Sequence, residues 1–405
     1  MSTATAPVPR TRTSSTGQGA VLLAAACMPI LGSTSIAPVQ PAMVAAFPDQ
    51  AGAEVLVGLI LTAPALVIGL TALFAGRLID RVGRKRVLVI ALFAYAVVGT
   101  APLWLPTLQA ILISRVAVGL AEAAIFSSSM ATITDLFDGH RRARYFGLLN
   151  LVTGLAAVVF IALSGALGDA NWRAPFWLYL LALPLGIVAA IVLKKDRPRT
   201  ERQALPPVQW RRLLAPILFT LLGGAVFYVP VAMLSFRLSE LGVSQTSAIG
   251  AISAGAALAL ALASLGFPAL LRRIPRILLA AAFAVLGVGL LLIGLSTALP
   301  VVIVGAVVAN AGGGILLSTL QTWIVQGLPY EQRGRASGAS TAGLFVGQFL
   351  APLLVFAIAG ATGLGPAIAI AGACGLLAAV AGVFVGRIRT DQAERSEQPV
   401  HAAAE

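Results

Sequence analysis

Of 405 residues, 59% are hydrophobic and only 11% are charged, with a mean hydropathy of +0.94. Soluble domains carry about 25% charged and roughly 45–50% apolar residues, so a soluble enzyme, a disordered chain and a nucleic-acid-binding module are all excluded. The net charge of +13 is then a question of where the basic residues stand.

In chain order, a polar stretch rich in Ser, Thr and Pro, residues 1–17, is expected to be a disordered cytoplasmic tail. Apolar runs follow at about 19–42, 55–75, 87–105, 108–134, 145–167 and 174–193. A polar segment from Lys194 to Arg212, with Pro198, Pro206, Pro207 and seven basic residues, is read as a linker. Six more runs lie at about 213–236, 247–271, 277–298, 300–326, 337–359 and 364–386, before a second tail at 387–405. Each run suffices for a span of about 20 residues, and each must be helical because lipid cannot satisfy free backbone N–H and C=O groups. The expected fold class is an all-α integral membrane protein of 12 transmembrane helices. Residues 18–193 and 213–386 would form two six-helix bundles joined by the cytoplasmic linker 194–212.

Of the 28 Lys and Arg residues, 25 fall in the tails and in alternate gaps between runs, and only Arg115, Arg173 and Arg237 fall elsewhere. This is the positive-inside pattern, so both termini are expected in the cytoplasm. The basic charge reports topology and calls for no nucleic-acid partner. Cys27 and Cys374 sit inside apolar runs, where a thiol behaves as a small hydrophobe, so neither is assigned a disulfide.

The chain also repeats itself. A shift of 191 residues places Arg272 on Arg81, Arg276 on Lys85 and Leu278 on Val87. The same shift places Arg333 on Arg142, Arg335 on Arg144 and Gly338 on Gly147. Internal repeats of this kind mark transporters that alternate access around a site between the two halves.

The gap after the second run reads Gly76-Arg77-Leu78-Ile79-Asp80-Arg81-Val82-Gly83-Arg84-Lys85-Arg86. It resembles the signature loop of the major facilitator superfamily, G-x-L-x-D-R-x-G-R-K/R-x. The fourth run contains Ile113-Ser114-Arg115-Val116-Ala117-Val118-Gly119, which is similar to that family's second motif with its intramembrane Arg. Asp135 to Gly147 and Asp169 to Trp177 are also similar, so the resemblance covers nearly the whole chain. It implies the two-bundle fold and a cytoplasmic latch of Gly76, Asp80, Gly83, Arg84 and Asp135, broken as the site opens inward. In that loop Gly76 and Gly83 allow a tight turn, and Asp80 can face a helix N-terminus. Arg84 can reach Asp135, the natural partner at the end of the fourth span. Leu271 stands where the repeat would place a second Asp80, so the latch of the second half is degenerate.

Of 15 Asp and Glu residues, Glu122 alone lies deep in a run, seven residues after Arg115. Seven residues are nearly two turns, so the pair shares a face at about 10 Å along the axis. An ionisable group at membrane depth is a functional candidate by default, and burial and Arg115 act on its proton affinity in opposite senses. Glu122, tuned by Arg115, is the candidate proton-coupling carboxylate. A structural pairing of the two, or a buried Arg115 that merely bonds carbonyls, is the alternative. Candidates for a substrate cavity are Ser33, Gln40, Phe126, Tyr228, Asn310, Gln321, Trp323 and Gln348, each of which could equally serve packing. Pro38 and Pro41 are expected to kink the first span.

Neither the two histidines nor the two cysteines cluster with acids as a metal site would need, and no P-loop is present. No enzyme, cofactor or metal is expected, with a proton gradient as the energy source. Within the superfamily the chain looks most like the twelve-span bacterial exporters of drugs and sugar-like solutes. It departs from them in the fifth span, where Gly154 is followed by Ala156-Ala157 and Phe160-Ile161 in place of Gly-Pro and Gly-Gly, and in having no acid in the first span. The expectation is a monomeric, proton-driven exporter of small amphipathic or hydrophobic compounds in a bacterial inner membrane. An importer of a small organic anion or sugar-like solute, and a non-transporting membrane sensor, are the alternatives.

Overall fold

A computed structural model describes residues 16–72, 82–194, 210–326, 328 and 330–397. Most of the expected tails and linker, and Gly76 and Asp80 of the signature loop, lie outside these residues. Twelve helices among the described residues are long and apolar enough to cross a membrane. They are α1 (Thr16–Ala45), α2 (Ala53–Thr71), α3 (Arg84–Leu103), α4 (Leu108–Leu136), α5 (Arg144–Gly168) and α6 (Ala174–Val192). The second six are α7 (Leu213–Glu240), α8 (Thr246–Arg273), α9 (Leu278–Leu295), α10 (Leu299–Val325), α11 (Gln332–Thr362) and α12 (Leu364–Phe384).

The repeat is visible in the structure at atomic detail. Leu108 opens α4 and Leu299, 191 residues later, opens α10. Just before α5, Arg142 Nε donates to the Phe137 carbonyl at 2.8 Å, and at the start of α11 Arg333 Nε donates to the Leu328 carbonyl at 3.0 Å. Both pairs of partners are related by the same shift.

The halves meet along two seams, α2 against α11 and α5 against α8. The second seam is closest where Gly165 faces Gly250, since a Cβ on either would stand 2.7 Å from the other's Cα. At the end opposite the chain termini, hydrogen bonds cross from one half to the other. The Asp169 carboxylate accepts from Thr246 Oγ1 at 2.8 Å and from the Ser247 N–H at 3.0 Å, and the Thr246 hydroxyl also reaches the Gly165 carbonyl at 2.8 Å. Hydrogen bonds from Ser247 first, then from Thr246, hold the Asp169 carboxyl below the usual carboxylate range.

Three spans are not uniform helices, and in α3 the α-helix Arg84–Gly99 is followed by a 3-10 turn, Ala101–Leu103. In α1 the α-helix Thr16–Thr34 gives way to a 3-10 turn, Ala37–Val39, and a short α-helix, Gln40–Ala45. Pro38 and Pro41 have no N–H to donate, so the ordinary ladder cannot continue through this segment. Ile36 N–H turns instead to the Ser33 carbonyl, three residues back. In α6 the first eight residues, Ala174–Leu181, are 3-10 and only Ala182–Val192 is α-helical.

Candidate functional site

Between the halves lies a cavity of about 260 Å³, near the lower end of the range for small-molecule sites. Its walls come from α1, α2, α4 and α5 of one half and from α7, α8, α10 and α11 of the other. Apolar residues such as Leu61, Ile161, Phe227 and Phe345 dominate the wall. The polar groups are few: Ser33 and Thr34, Glu122, Tyr228, Ser253, Asn310 and Gln348.

Glu122 is the charged residue of this wall among the described residues. It is 2% exposed, and its Oε1 has no hydrogen-bond partner among the described residues. The carboxylate lies directly on α1, because a Cβ on Gly32 would fall 1.9 Å from Oε1. Gly32 therefore supplies the space in which the carboxylate sits. The α2–α4 contact is equally close, since a Cβ on Gly119 would meet the Pro64 Cα at 2.8 Å. A buried polar atom left without a partner is uncommon in native folds, and one at a cavity wall is available to a proton or a ligand.

Arg115, on the same helix as Glu122, makes its hydrogen bonds to α3 and α6. It is completely buried but outside the cavity wall. Its Nη1 donates to the Tyr179 hydroxyl at 3.0 Å, and Nη2 donates to the Val98 and Gly99 carbonyls at 3.2 and 3.1 Å. Nε reaches Ser114 Oγ at 3.3 Å, and the guanidinium lies over the Phe176 and Tyr179 rings at 5.5 and 5.4 Å. Carbonyls at the end of α3 and the aromatic face of α6 thus meet the needs of the cation. No ion pair within 4 Å joins it to Glu122 among the described residues. The direct Arg115–Glu122 pairing considered from the sequence is thus not made within 4 Å, and the Tyr179 hydroxyl that Arg115 holds reaches α1 at the Gly32 carbonyl.

The remaining candidates divide. Ser33, Tyr228, Asn310 and Gln348 line the cavity, and Tyr228 faces Ser33 across the interface. Asn310 Nδ2 also bonds its own helix at the Ala306 carbonyl, 2.9 Å away. Gln40, Phe126, Gln321 and Trp323 are outside the lining. Gln40 Nε2 fills the Ala37 carbonyl that Pro41 leaves free, at 3.3 Å, and crosses to α7 at the Ala232 carbonyl and Ser235 Oγ, both 3.0 Å. It ties the halves together at the end away from the termini. Trp323 is 7% exposed and stacks edge-on against Phe219 at 5.6 Å, a core contact within the second half. Phe126 and Gln321 are exposed outside the cavity.

Of the loop residues, Gly83 has φ +97° and caps α3, a backbone state that disfavours any side chain. Arg84 forms an ion pair with Asp135 and donates to the Ala131 carbonyl at 2.8 Å. Lys85 Nζ holds the Leu193 carbonyl at the end of α6, at 2.5 Å. The structure also reveals residues that the sequence did not single out. Tyr95 and Tyr179 each donate a hydroxyl to α1, to the Met28 carbonyl at 2.6 Å and the Gly32 carbonyl at 3.3 Å. A lone phenol in an apolar run carries no local signal of such a role.

The Major Facilitator Superfamily profile matches residues 21–262 and 217–404. The chain belongs to this superfamily. It is similar to the multidrug transporter protein MdtP of Bacillus subtilis, 30% identical over 170 residues, which cover 41% of this chain and 28% of that protein. It is also similar to the class C tetracycline resistance protein of Escherichia coli, 28% identical over 46% of this chain and 47% of that one. The quinolone resistance protein NorA of Staphylococcus aureus is 25% identical over 40% of this chain and 44% of its own length. The chain thus matches less than half the length of each of these relatives. The human organic anion transporter MFSD10 superposes with a TM-score of 0.68 at 18% identity, over 92% of this chain and 99% of that one. At that identity the likeness establishes the fold.

Proposed function

We propose that the protein is a proton-coupled exporter of small amphipathic or hydrophobic compounds, working by rocker-switch alternation of residues 1–193 against 213–405. The observation that carries this reading is the Glu122 carboxylate, buried in the cavity wall with an oxygen left unpartnered. A carboxylate there exchanges a proton with whichever side the cavity faces, and binding of a compound and of a proton then compete for the same wall. The apolar lining suits hydrophobic solutes, and the acid favours neutral or cationic ones over anions. The relatives' names, a multidrug transporter and proteins of tetracycline and quinolone resistance, support export.

Arg115 offers little as an anchor for an anionic substrate, because carbonyls and the Tyr179 hydroxyl occupy its donors away from the cavity. The basic loops orient the protein with both termini in the cytoplasm of a bacterial cell, its inner membrane being the site of action. The end clasped by Gln40 and Asp169 then faces outward, and the described conformation is closed on that side. Residues 18–193 and 213–386 move as units in a monomer, and the Arg84–Asp135 pair belongs to the latch on the cytoplasmic side.

The test is proton flux in inside-out vesicles or proteoliposomes under an imposed pH gradient, with a panel of cationic, neutral and anionic compounds. Wild type should release protons on addition of cationic or neutral compounds, and Glu122→Gln should not. Flux that survives the substitution, or that answers only to anions, would overturn the proposal.

A further inference from the structure

The break in α1 takes the Gly32 carbonyl away from its helical donor. In an unbroken helix the Gly32 carbonyl would accept from the Ile36 N–H, but that N–H bonds Ser33 instead. Two hydroxyls take its place: Tyr179 donates to the Gly32 carbonyl at 3.3 Å, and Ser35 Oγ lies 3.4 Å from the same oxygen. Ser35 Oγ is also 3.3 Å from the Tyr179 hydroxyl, which accepts from Arg115 Nη1 at 3.0 Å. One phenol therefore joins the guanidinium of α4 to the broken point of α1. The other face of Gly32 carries the Glu122 carboxylate.

Tyr179 is itself held firmly. It is fully buried, its ring packs 4.9 Å from the Tyr95 ring, and it fills the space over Gly99, where a Cβ would fall 1.9 Å from its Cδ1. A rigid ring with its hydroxyl fixed by Arg115 can set where Gly32 stands. Arg115 on α4 is the charge that acts on Glu122, and the phenols that feel the Glu122 charge are Tyr95 on α3, Tyr179 on α6 and Tyr228 on α7. Of these, Tyr179 alone touches both Arg115 and the backbone on which the carboxylate rests.

We propose that Tyr179 is a positioning residue whose hydroxyl, tied to Arg115, holds the Gly32–Ser35 break of α1 against Glu122 and so sets the proton affinity of that carboxylate. It moves no proton itself and touches no substrate. The proposal rests on Glu122 being the proton site and adds the group that tunes it. Removing the hydroxyl frees one donor of Arg115 and releases one bond on the Gly32 carbonyl. The freed guanidinium then favours the ionised carboxylate, as an opposite charge nearby does.

The test uses the full-length protein in detergent or lipid and needs no identified substrate. The infrared carbonyl stretch of a protonated carboxyl, assigned to Glu122 by its loss in Glu122→Gln, is followed as pH is varied. Tyr179→Phe should move the midpoint to lower pH by about half a unit or more. Tyr95→Phe removes a phenol bond to α1 one turn away, at the Met28 carbonyl, but leaves the Tyr179 bonds to Arg115 and Gly32 in place, and should move the midpoint by less than Tyr179→Phe does. Ser35→Ala, a smaller change at the same hydroxyl, should move the midpoint in the same direction by less, and it stands in if Tyr179→Phe does not fold. An unmoved midpoint in Tyr179→Phe, or equal movement in Tyr95→Phe, would overturn the proposal. A spectrum in which Glu122→Gln removes no titrating band would instead overturn Glu122 as the proton site.

Discussion

Replacing Gly32 by Ala tests the placement of Glu122 with a single methyl group. The added Cβ would stand 1.9 Å from Glu122 Oε1, 3.0 Å from Cδ and 3.4 Å from Oε2. To reach ordinary contact near 3.4 Å, Oε1 must retreat by about 1.5 Å. A glutamate side chain retreats by rotating, and an off-rotamer torsion costs of order 0.5–1.5 kcal/mol. Alanine in place of a helical glycine recovers about 0.5–1 kcal/mol of that, so the fold should be nearly as stable as before. The function should suffer far more, since a misplacement of about 1 Å can cost about 100-fold in rate. Coupled proton release in proteoliposomes, with the thermal midpoint measured on the same preparation, separates the two effects. Gly255→Ala is the control, because no atom lies within 4 Å of the added methyl there. Coupled release within about twofold of wild type in Gly32→Ala, with a normal thermal midpoint, would refute the placement of the carboxylate against α1.

Three further outcomes follow from the seams and clasps. Gly250→Ala at the α5–α8 crossing meets backbone at 2.7 Å, which cannot rotate away, and should lower stability by about 1–3 kcal/mol; a thermal midpoint equal to that of wild type would contradict the close approach. Asp169 has its folded pKa depressed by hydrogen bonds from Ser247 and then Thr246, so its stabilisation is complete above the usual carboxylate range and disappears as pH falls through the lower folded value. Asp169→Asn should therefore lower the thermal midpoint at neutral pH, and the two midpoints should converge in acid; parallel curves would show that the clasp has no role. The Arg84–Asp135 pair is partly exposed, with side chains 13% and 45% accessible. A double-mutant cycle of Arg84→Gln and Asp135→Asn should give a coupling of about 0.5–1 kcal/mol, measured by denaturation in detergent, whereas additive effects would show that the pair does not interact.

Much of the architecture is legible from local pattern. Twelve apolar runs of the required length, separated by alternating basic loops, leave few ways to arrange a chain in lipid. The repeat is legible too, because equivalent arginines recur at one offset and in the structure make equivalent bonds to Phe137 and Leu328. Glu122 stands out in the sequence because an acid at membrane depth is rare whatever surrounds it. Gln40 shows where such inference stops. Beside a proline at the end of an apolar run it resembles a pocket residue, but its amide covers the carbonyl that Pro41 leaves free and reaches into α7. Trp323 and Phe126 differ in burial although both are large aromatic residues in apolar runs, because nearly uniform hydrophobicity hides which face of a membrane helix turns inward.

What the sequence determines by itself is therefore the number of spans, their division into two related halves, and the presence of one buried acid and one buried base on the same helix. Those properties depend on residue type and spacing along one chain segment, which hydrophobicity and helical periodicity govern directly. Only the tertiary structure decides what Arg115 and Glu122 touch. The separation of the pair arises because α3 presents the Val98 and Gly99 carbonyls, α6 presents the Tyr179 hydroxyl, and α1 breaks beside the carboxylate at Gly32. Each partner comes from a different span. A buried polar group bonds whichever donor or acceptor packing brings within about 3 Å, and no spacing along α4 can specify that.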